Sequence, residues 1–144
     1  PPPYTVPRSR RGLGRVFTTG LLPNGDFASE YPLPLTPELL HRGRDGFEAY
    51  CAACHGLLGD GESQVSRNMA LRPPPSLLTL PEYAPGYWYT VISEGFGLMP
   101  GYADKLSPAE RWAVAAYVEA LRYSQSVPVE ELPEDVRSRL EAQP

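Results

Sequence analysis

Both cysteines of this 144-residue chain and one of its two histidines fall within five positions, Cys51-Ala52-Ala53-Cys54-His55. No other stretch narrows the possible folds so sharply, because a disulfide, a metal site, a redox dithiol and a covalent cofactor site all compete for that pattern. A structural zinc site needs four ligands, usually from paired knuckles. Here there is one knuckle, and only His41 remains to complete a set with Cys51, Cys54 and His55. A thioredoxin-like dithiol needs a βαβ setting, and no alternating run in the chain predicts a convincing strand.

Covalent haem attachment fits better. Two thiols three positions apart can each bond one vinyl group of a porphyrin, and the histidine that follows can then coordinate iron through one imidazole nitrogen. That reading also requires a distal ligand at suitable separation. Two methionines are available. Met69 follows His55 by 14 residues and reads as core filler. Met99 follows it by 44 and lies in "GFGLMPGY", where Gly97 and Pro100 shape a loop that can hold a thioether sulfur toward iron.

The pattern of breakers and apolar faces divides the chain into residues 1–35, 36–123 and 124–144. Eight of the 18 prolines precede residue 43, and the first segment predicts an extended arm without a periodic apolar face. By composition it could be a disordered tail. Alternatively, Tyr4, Phe17, Leu21, Leu22, Phe27 and Tyr31 would let it wrap over a partner or over its own domain. Asn24-Gly25 marks a turn. Thr36 and Pro37 open a first helix whose Leu39, Gly43, Gly46, Phe47 and Tyr50 share one face, the glycines inviting a close helix crossing. A shorter helix is expected from about Gly86 to Ser93. The last strong helix begins with a Ser107/Glu110 capping box and carries a stripe of Ala109, Trp112, Ala113, Ala116, Tyr117, Ala120 and Leu121. Beyond Gln125 the acidic tail predicts one marginal turn.

Net charge is −4 with a pI near 5.2, which speaks against a nucleic-acid partner. The charge is uneven: residues 1–42 carry +2 and residues 124–144 carry −3. No apolar run approaches the roughly 20 residues of a membrane helix, and "PPPYTVPRSRR" lacks the apolar stretch of a secretory signal. These features leave a cytoplasmic protein or a mature or trimmed form, and the cysteine chemistry must decide between them.

From about Arg42 to Tyr123 the chain resembles the class I cytochrome c family. "CAACHG" matches its attachment motif, "LMP" its distal-ligand motif, and Gly43, Phe47 and Tyr117 its helix-crossing contacts. The resemblance implies an all-α fold of three main helices around one haem c, bound covalently through Cys51 and Cys54, with His55 and Met99 as iron ligands. It also implies that Pro75 supplies the carbonyl that accepts from the proximal imidazole, with Pro73 and Pro74 as alternatives. Arg72, Tyr87 and Trp88 are candidate propionate donors. Leu57, Leu58, Leu71, Leu77, Ile92, Phe96 and Leu98, with Tyr87 and Trp88, are candidate pocket walls. More narrowly, "GRDGFEAYCAACHG", "SRNMALRPPPSL", the "YTVISEGFGLMPGY" to "EALRYSQ" run and the Arg- and Pro-containing arm look like the monohaem cytochrome subunit of bacterial alternative complex III, a quinol:electron-acceptor oxidoreductase.

Ligation by both His55 and Met99 leaves no open iron position, so the expected function is outer-sphere transfer of single electrons rather than catalysis. The expected partners are redox proteins or other subunits of a membrane respiratory complex. The setting is the periplasm or the outer face of the bacterial cytoplasmic membrane, with membrane association indirect or through a lipid anchor absent from this chain. An exposed edge near Ala52 and Ala53, rimmed by acids, would suit a basic partner. Two other readings compete: the cytochrome module of a terminal oxidase or quinoprotein dehydrogenase, and a five-coordinate haem sensor or peroxidase-like enzyme.

Overall fold

The computed structural model describes residues 14–142. In chain order its elements are α1 (Arg15–Thr19), α2 (Pro37–Tyr50), α3 (Ala52–His55), α4 (Gln64–Asn68), α5 (Pro85–Glu94), β1 (Gly95–Phe96), β2 (Met99–Pro100), α6 (Pro108–Ser124), a 3-10 turn (Val129–Glu131) and α7 (Glu134–Glu141).

The caps read from the sequence set the two long helices. The Leu39 backbone N–H donates to Thr36 Oγ1 at 3.2 Å, and Pro37 occupies the first position of α2. Glu110 N–H donates to Ser107 Oγ at 3.4 Å while Ser107 N–H donates to Glu110 Oε2 at 2.8 Å, opening α6. The helices cross at Gly43. A Cβ there would stand 2.1 Å from the Ala113 carbonyl oxygen and 2.8 Å from Tyr117 Cβ, so the approach requires glycine. One turn on, Phe47 is fully buried and its ring meets that of Tyr117 at 5.5 Å.

Two faces differ from the expected pattern. Tyr50 does not join the buried face of α2; it is 39% exposed, and its ring meets Tyr102. The buried surface of α6 is broader than one stripe. Arg111, Val114, Ala115 and Val118 are buried beside Trp112, Ala113 and Ala116, whereas Ala109, Tyr117, Ala120 and Leu121 are half-buried. The reason is that α2 and α5 both pack on α6 and the N-terminal segment covers Trp112.

That segment is not merely extended. It contains α1, which ends at Gly20 with φ 75°. Five residues are too few to show a helical period, and tertiary bonds hold them: Trp112 Nε1–H donates to the Phe17 carbonyl at 2.8 Å and Tyr89 Oη–H to the Thr18 carbonyl at 3.0 Å. The Asn24-Gly25 turn brings Leu21 opposite Phe27 in an isolated bridge. Ala28 then bonds Gly20 and Gly86 through its backbone. A Cβ on Gly86 would lie 2.2 Å from the Gly20 carbonyl oxygen, so at this point α5 and the arm meet backbone to backbone. Phe17, Leu22 and Tyr31 pack around Trp112 and Tyr89, and Phe27 meets Tyr87 edge-on at 5.5 Å. From residue 14 onward the arm therefore wraps its own domain; Tyr4 lies outside the described residues. The tail exceeds the single expected turn, because Pro133 precedes a two-turn helix, α7.

Candidate functional site

Cys51 closes α2 and opens α3. Its N–H donates to the Phe47 carbonyl at 2.8 Å, and its carbonyl accepts from Cys54 at 3.1 Å and from His55 at 2.9 Å. The turn is then fixed from behind. Gly56, at φ 77°, leaves no room for a Cβ, which would meet Asp60 Oδ1 at 2.4 Å. Gly61 N–H donates to the His55 carbonyl at 2.8 Å, and Ser63 Oγ–H to the Cys54 carbonyl at 3.1 Å. Ser63 and Ser66 also cap α4 reciprocally, a signal hidden from sequence inspection because a serine stands where glutamate usually does. Both thiols are free, and Cys51 is buried.

The proline-rich loop lies against this turn. Leu77 N–H donates to the Gly59 carbonyl at 2.7 Å, and a Cβ on Gly61 would approach the Pro74 carbonyl oxygen at 3.1 Å. Of the three prolines, Pro75 presents its backbone acceptor to the His55 imidazole. That contact favours the protonated ring but falls short of hydrogen-bond geometry, since buried Nδ1 has no bonded partner. Burial is the larger influence and pulls the imidazole below its ordinary value. A neutral imidazole is the form that can ligate a metal.

Met99 stands on β2, with Phe96 opposite it across the hairpin. The hairpin is pressed onto the end of α5: a Cβ on Gly95 would meet the Met99 carbonyl oxygen at 2.3 Å, and one on Gly101 the Ser93 carbonyl oxygen at 2.5 Å. Met69 caps the end of α4 and is half-buried. Arg72 is exposed and makes no hydrogen bond or ion pair among the described residues. Trp88 is buried beneath the Arg122 guanidinium, 5.3 Å from its ring centre, while half-buried Tyr87 stacks on Tyr83 at 4.0 Å. Leu77 and Ile92 are buried; Leu57, Leu58, Leu71, Phe96 and Leu98 are each more than half exposed. Ala53 is exposed, but Ala52 is buried against the core, so the expected open edge narrows to one alanine.

Sequence inspection missed a polar group beside Trp88. Glu82, Glu119 and Arg122 share with Tyr83 and Trp88 the lining of a cavity of about 350 Å³. Arg122 Nη2–H donates to the Leu80 carbonyl at 2.6 Å. Glu119 faces Tyr31 from the arm, and burial raises its carboxyl above the usual range. The i, i+3 spacing of Glu119 and Arg122 was visible, but not the loop and arm that enclose them.

These features discriminate among the four chemistries. Among the described residues no group of three or more His, Cys, Asp and Glu side chains is placed to hold a metal ion, which removes the zinc set with His41. Burial, then the neighbouring Cys54, push the Cys51 thiol up to about 12, whereas a redox dithiol needs a lowered value. A covalently held haem fits: two unpaired thiols, a buried imidazole whose Nδ1 faces a carbonyl, and exposed leucines on the adjoining loops for an apolar ring to cover. Helices α2 and α6 crossed over this turn define a c-type cytochrome of the class I fold, carrying one haem c through Cys51 and Cys54.

The chain belongs to the family described as cytochrome C oxidase, cbb3-type, subunit III, whose model matches residues 38–118. No curated protein matches it. Among solved structures it is similar to the reducing HAO-like protein complex of Kuenenia stuttgartiensis, at 25% identity and a TM-score of 0.54, over 67% of this chain and 50% of that one. It also aligns with cytochrome cL from Hyphomicrobium denitrificans (17% identity, TM-score 0.46, 69% of this chain and 57% of that one) and from Methylophaga aminisulfidivorans (18%, 0.46, 69% and 72%). The chain thus spans half the length of the first of these and under two thirds of the second.

Proposed function

We propose that this cytochrome carries single electrons by outer-sphere transfer, with His55 and Met99 as the residues that would hold the haem iron, as a subunit of a quinol-oxidising respiratory complex of the alternative complex III type. The observation that carries the His55 part of the ligand assignment is the Pro75 backbone acceptor presented to an imidazole whose buried Nδ1 has no hydrogen-bond partner of its own. An acceptor there fixes the tautomer and leaves the other nitrogen for iron. Haem supplies reversible one-electron chemistry when bound, and methionine opposite histidine favours a high potential. The chain's own residues set the surroundings. Leu77, Trp88 and Ile92 are buried where an apolar wall is needed, and Arg72, with Tyr87 and Trp88 on the α5 side, supplies donors for propionates. The other histidine of the chain, His41, is exposed on α2, a place that disfavours it as the distal base of a sensor or peroxidase.

Residues 1–35, 36–123 and 124–144 divide into an arm, the haem domain and an acidic tail; since residues 14–35 are packed on the haem domain itself, the tail is the described segment available for a fixed place in a complex. The quinol-complex assignment rests on sequence resemblance. The family match favours a second reading, the cytochrome module of a terminal oxidase. Either way the partners are redox proteins in the periplasm or at the outer face of the bacterial cytoplasmic membrane. No helix among the described residues is long and apolar enough to cross a membrane.

The visible spectrum of oxidised and reduced holoprotein, with carbon monoxide then added to the reduced form, tests the ligands. A Met–iron charge-transfer band and no response to carbon monoxide are expected. Ready carbon monoxide binding without the band would hand the lead to an open-site haem protein.

A further inference from the structure

The segment that follows Met99 is tied to the segment that precedes Cys51. Tyr102, three residues past Met99, donates its backbone N–H to the Ile92 carbonyl at 2.8 Å, and its own carbonyl accepts from Leu106 at 2.9 Å. Its half-buried ring packs on the core cluster that contains Phe47, Cys51 and Leu106. Its other neighbour is Tyr50, the residue immediately before Cys51, with ring centres 6.0 Å apart at 60°. Tyr50 is not among the buried residues of α2, and Tyr102 is the aromatic partner of its ring. Burial, and after it the Cys51 and Cys54 thiols, hold the Tyr102 phenol above its usual range, which agrees with a ring seated beside the attachment turn.

We propose that Tyr50 and Tyr102 form an aromatic clasp that holds the Met99 hairpin against the attachment turn, making Tyr102 a positioning residue for Met99. The inference rests on the His55/Met99 reading above. Its physical content is a local opening equilibrium. Whatever loosens the clasp raises the fraction of molecules in which Met99 is displaced, and an added ligand then binds with an apparent affinity raised by the same factor.

Imidazole titrated into oxidised holoprotein reads that fraction. Tyr102→Ala should raise the apparent imidazole affinity about tenfold, the change that loss of one aromatic pair would give. Tyr102→Phe, which keeps the ring, should stay near the parent value. Should Tyr102→Ala fail to fold, Tyr50→Ala at its exposed position tests the same contact. The double variant should be no worse than Tyr102→Ala alone. Ser107→Ala, which weakens the α6 cap without touching the hairpin, should leave the affinity unchanged, separating positioning from general loss of stability. A parent-like affinity in Tyr102→Ala, or additive effects of the two tyrosines, overturns the clasp. If Met99→Ala leaves the spectrum and imidazole affinity as they were, the ligand reading itself has failed and the clasp falls with it.

Discussion

At the scale of single residues the strongest constraints are places where an atom is missing. Gly43 permits the α2–α6 crossing, and the crossing fixes Phe47 and, four residues later, Cys51. Replacing a helical glycine by alanine ordinarily gains about 1 kcal/mol of propensity. Here the added methyl would sit 2.1 Å from the Ala113 carbonyl oxygen and 2.7 Å from its carbon. Overpacking against backbone costs about 1–3 kcal/mol or more, and backbone at that distance cannot yield as a side-chain tip can. Gly43→Ala should therefore destabilise the protein by about 2 kcal/mol or more, read as a lowered urea midpoint with the slope unchanged. A midpoint equal to or above the parent's would mean that the helices can separate freely, and the crossing would lose its role in setting the attachment turn. This residue was legible in the sequence because a helix with two glycines on its apolar face makes sense only if something approaches there. Tyr50 shares that face by spacing but not in the fold: three residues after Phe47 meets Tyr117 of α6, the Tyr50 ring turns to Tyr102 instead.

At the scale of elements, helices with chemical end signals were legible and those held by tertiary contacts were not. Thr36-Pro37 and Ser107/Glu110 announce α2 and α6. Nothing announces α1, whose order comes from bonds to Tyr89 and Trp112 some 70 and 95 positions away. The attachment motif was readable as chemistry, and Pro75 could be named only with two alternatives until the loop was placed against His55. The arm also meets α6 where Tyr31 and Glu119 face each other, without a hydrogen bond to the Tyr31 hydroxyl among the described residues. Burial is the largest influence on the Glu119 carboxyl and raises it; the Tyr31 hydroxyl and the Arg122 guanidinium oppose the rise, and Glu82 adds to it. An acid raised in the folded state binds its proton more tightly there than when unfolded. Its contribution to stability is therefore full below the unfolded value and is lost as pH climbs through the folded one. Glu119→Gln, neutral at every pH, should match the parent at low pH, where both are uncharged, and exceed it by a margin that grows as pH climbs from the unfolded value through the folded one. Urea midpoints of the two proteins across that range check this. A margin that does not change with pH would mean that Glu119 sits in water and does not tie the arm.

At the scale of the whole molecule the question is what steers a redox partner. Some of the acids are answered locally: Glu62 lies 3.8 Å from Arg67, and Asp104 2.9 Å from Lys105. Such exposed pairs add little stability and leave little net charge where they stand, whereas Asp60, against Gly56 of the attachment turn, makes no ion pair among the described residues. The longer-range field is different. The haem domain beyond residue 42 carries −3 up to Tyr123 and the tail another −3, against +2 on residues 1–42. Fields of this kind act over about a Debye length, roughly 10 Å at about 0.1 M salt, and change association rates more than they change the bound state. Stopped-flow oxidation of the reduced cytochrome by a cationic and an anionic one-electron oxidant separates the two sources. With tris(phenanthroline)cobalt(III) the rate should fall as salt is added, and with ferricyanide it should rise. A chain ending at Ser126 keeps α6 and the Gln125 side-chain bond to the Leu58 carbonyl, yet it loses the −3 of the tail and stands at −1. Both salt slopes should shrink in that chain. If they keep their full size, charges close to the haem steer the encounter after all and the tail is electrostatically idle. If neither oxidant responds to salt even in the full chain, docking is governed by the exposed apolar side chains of the loops, and selection for a basic partner is ruled out.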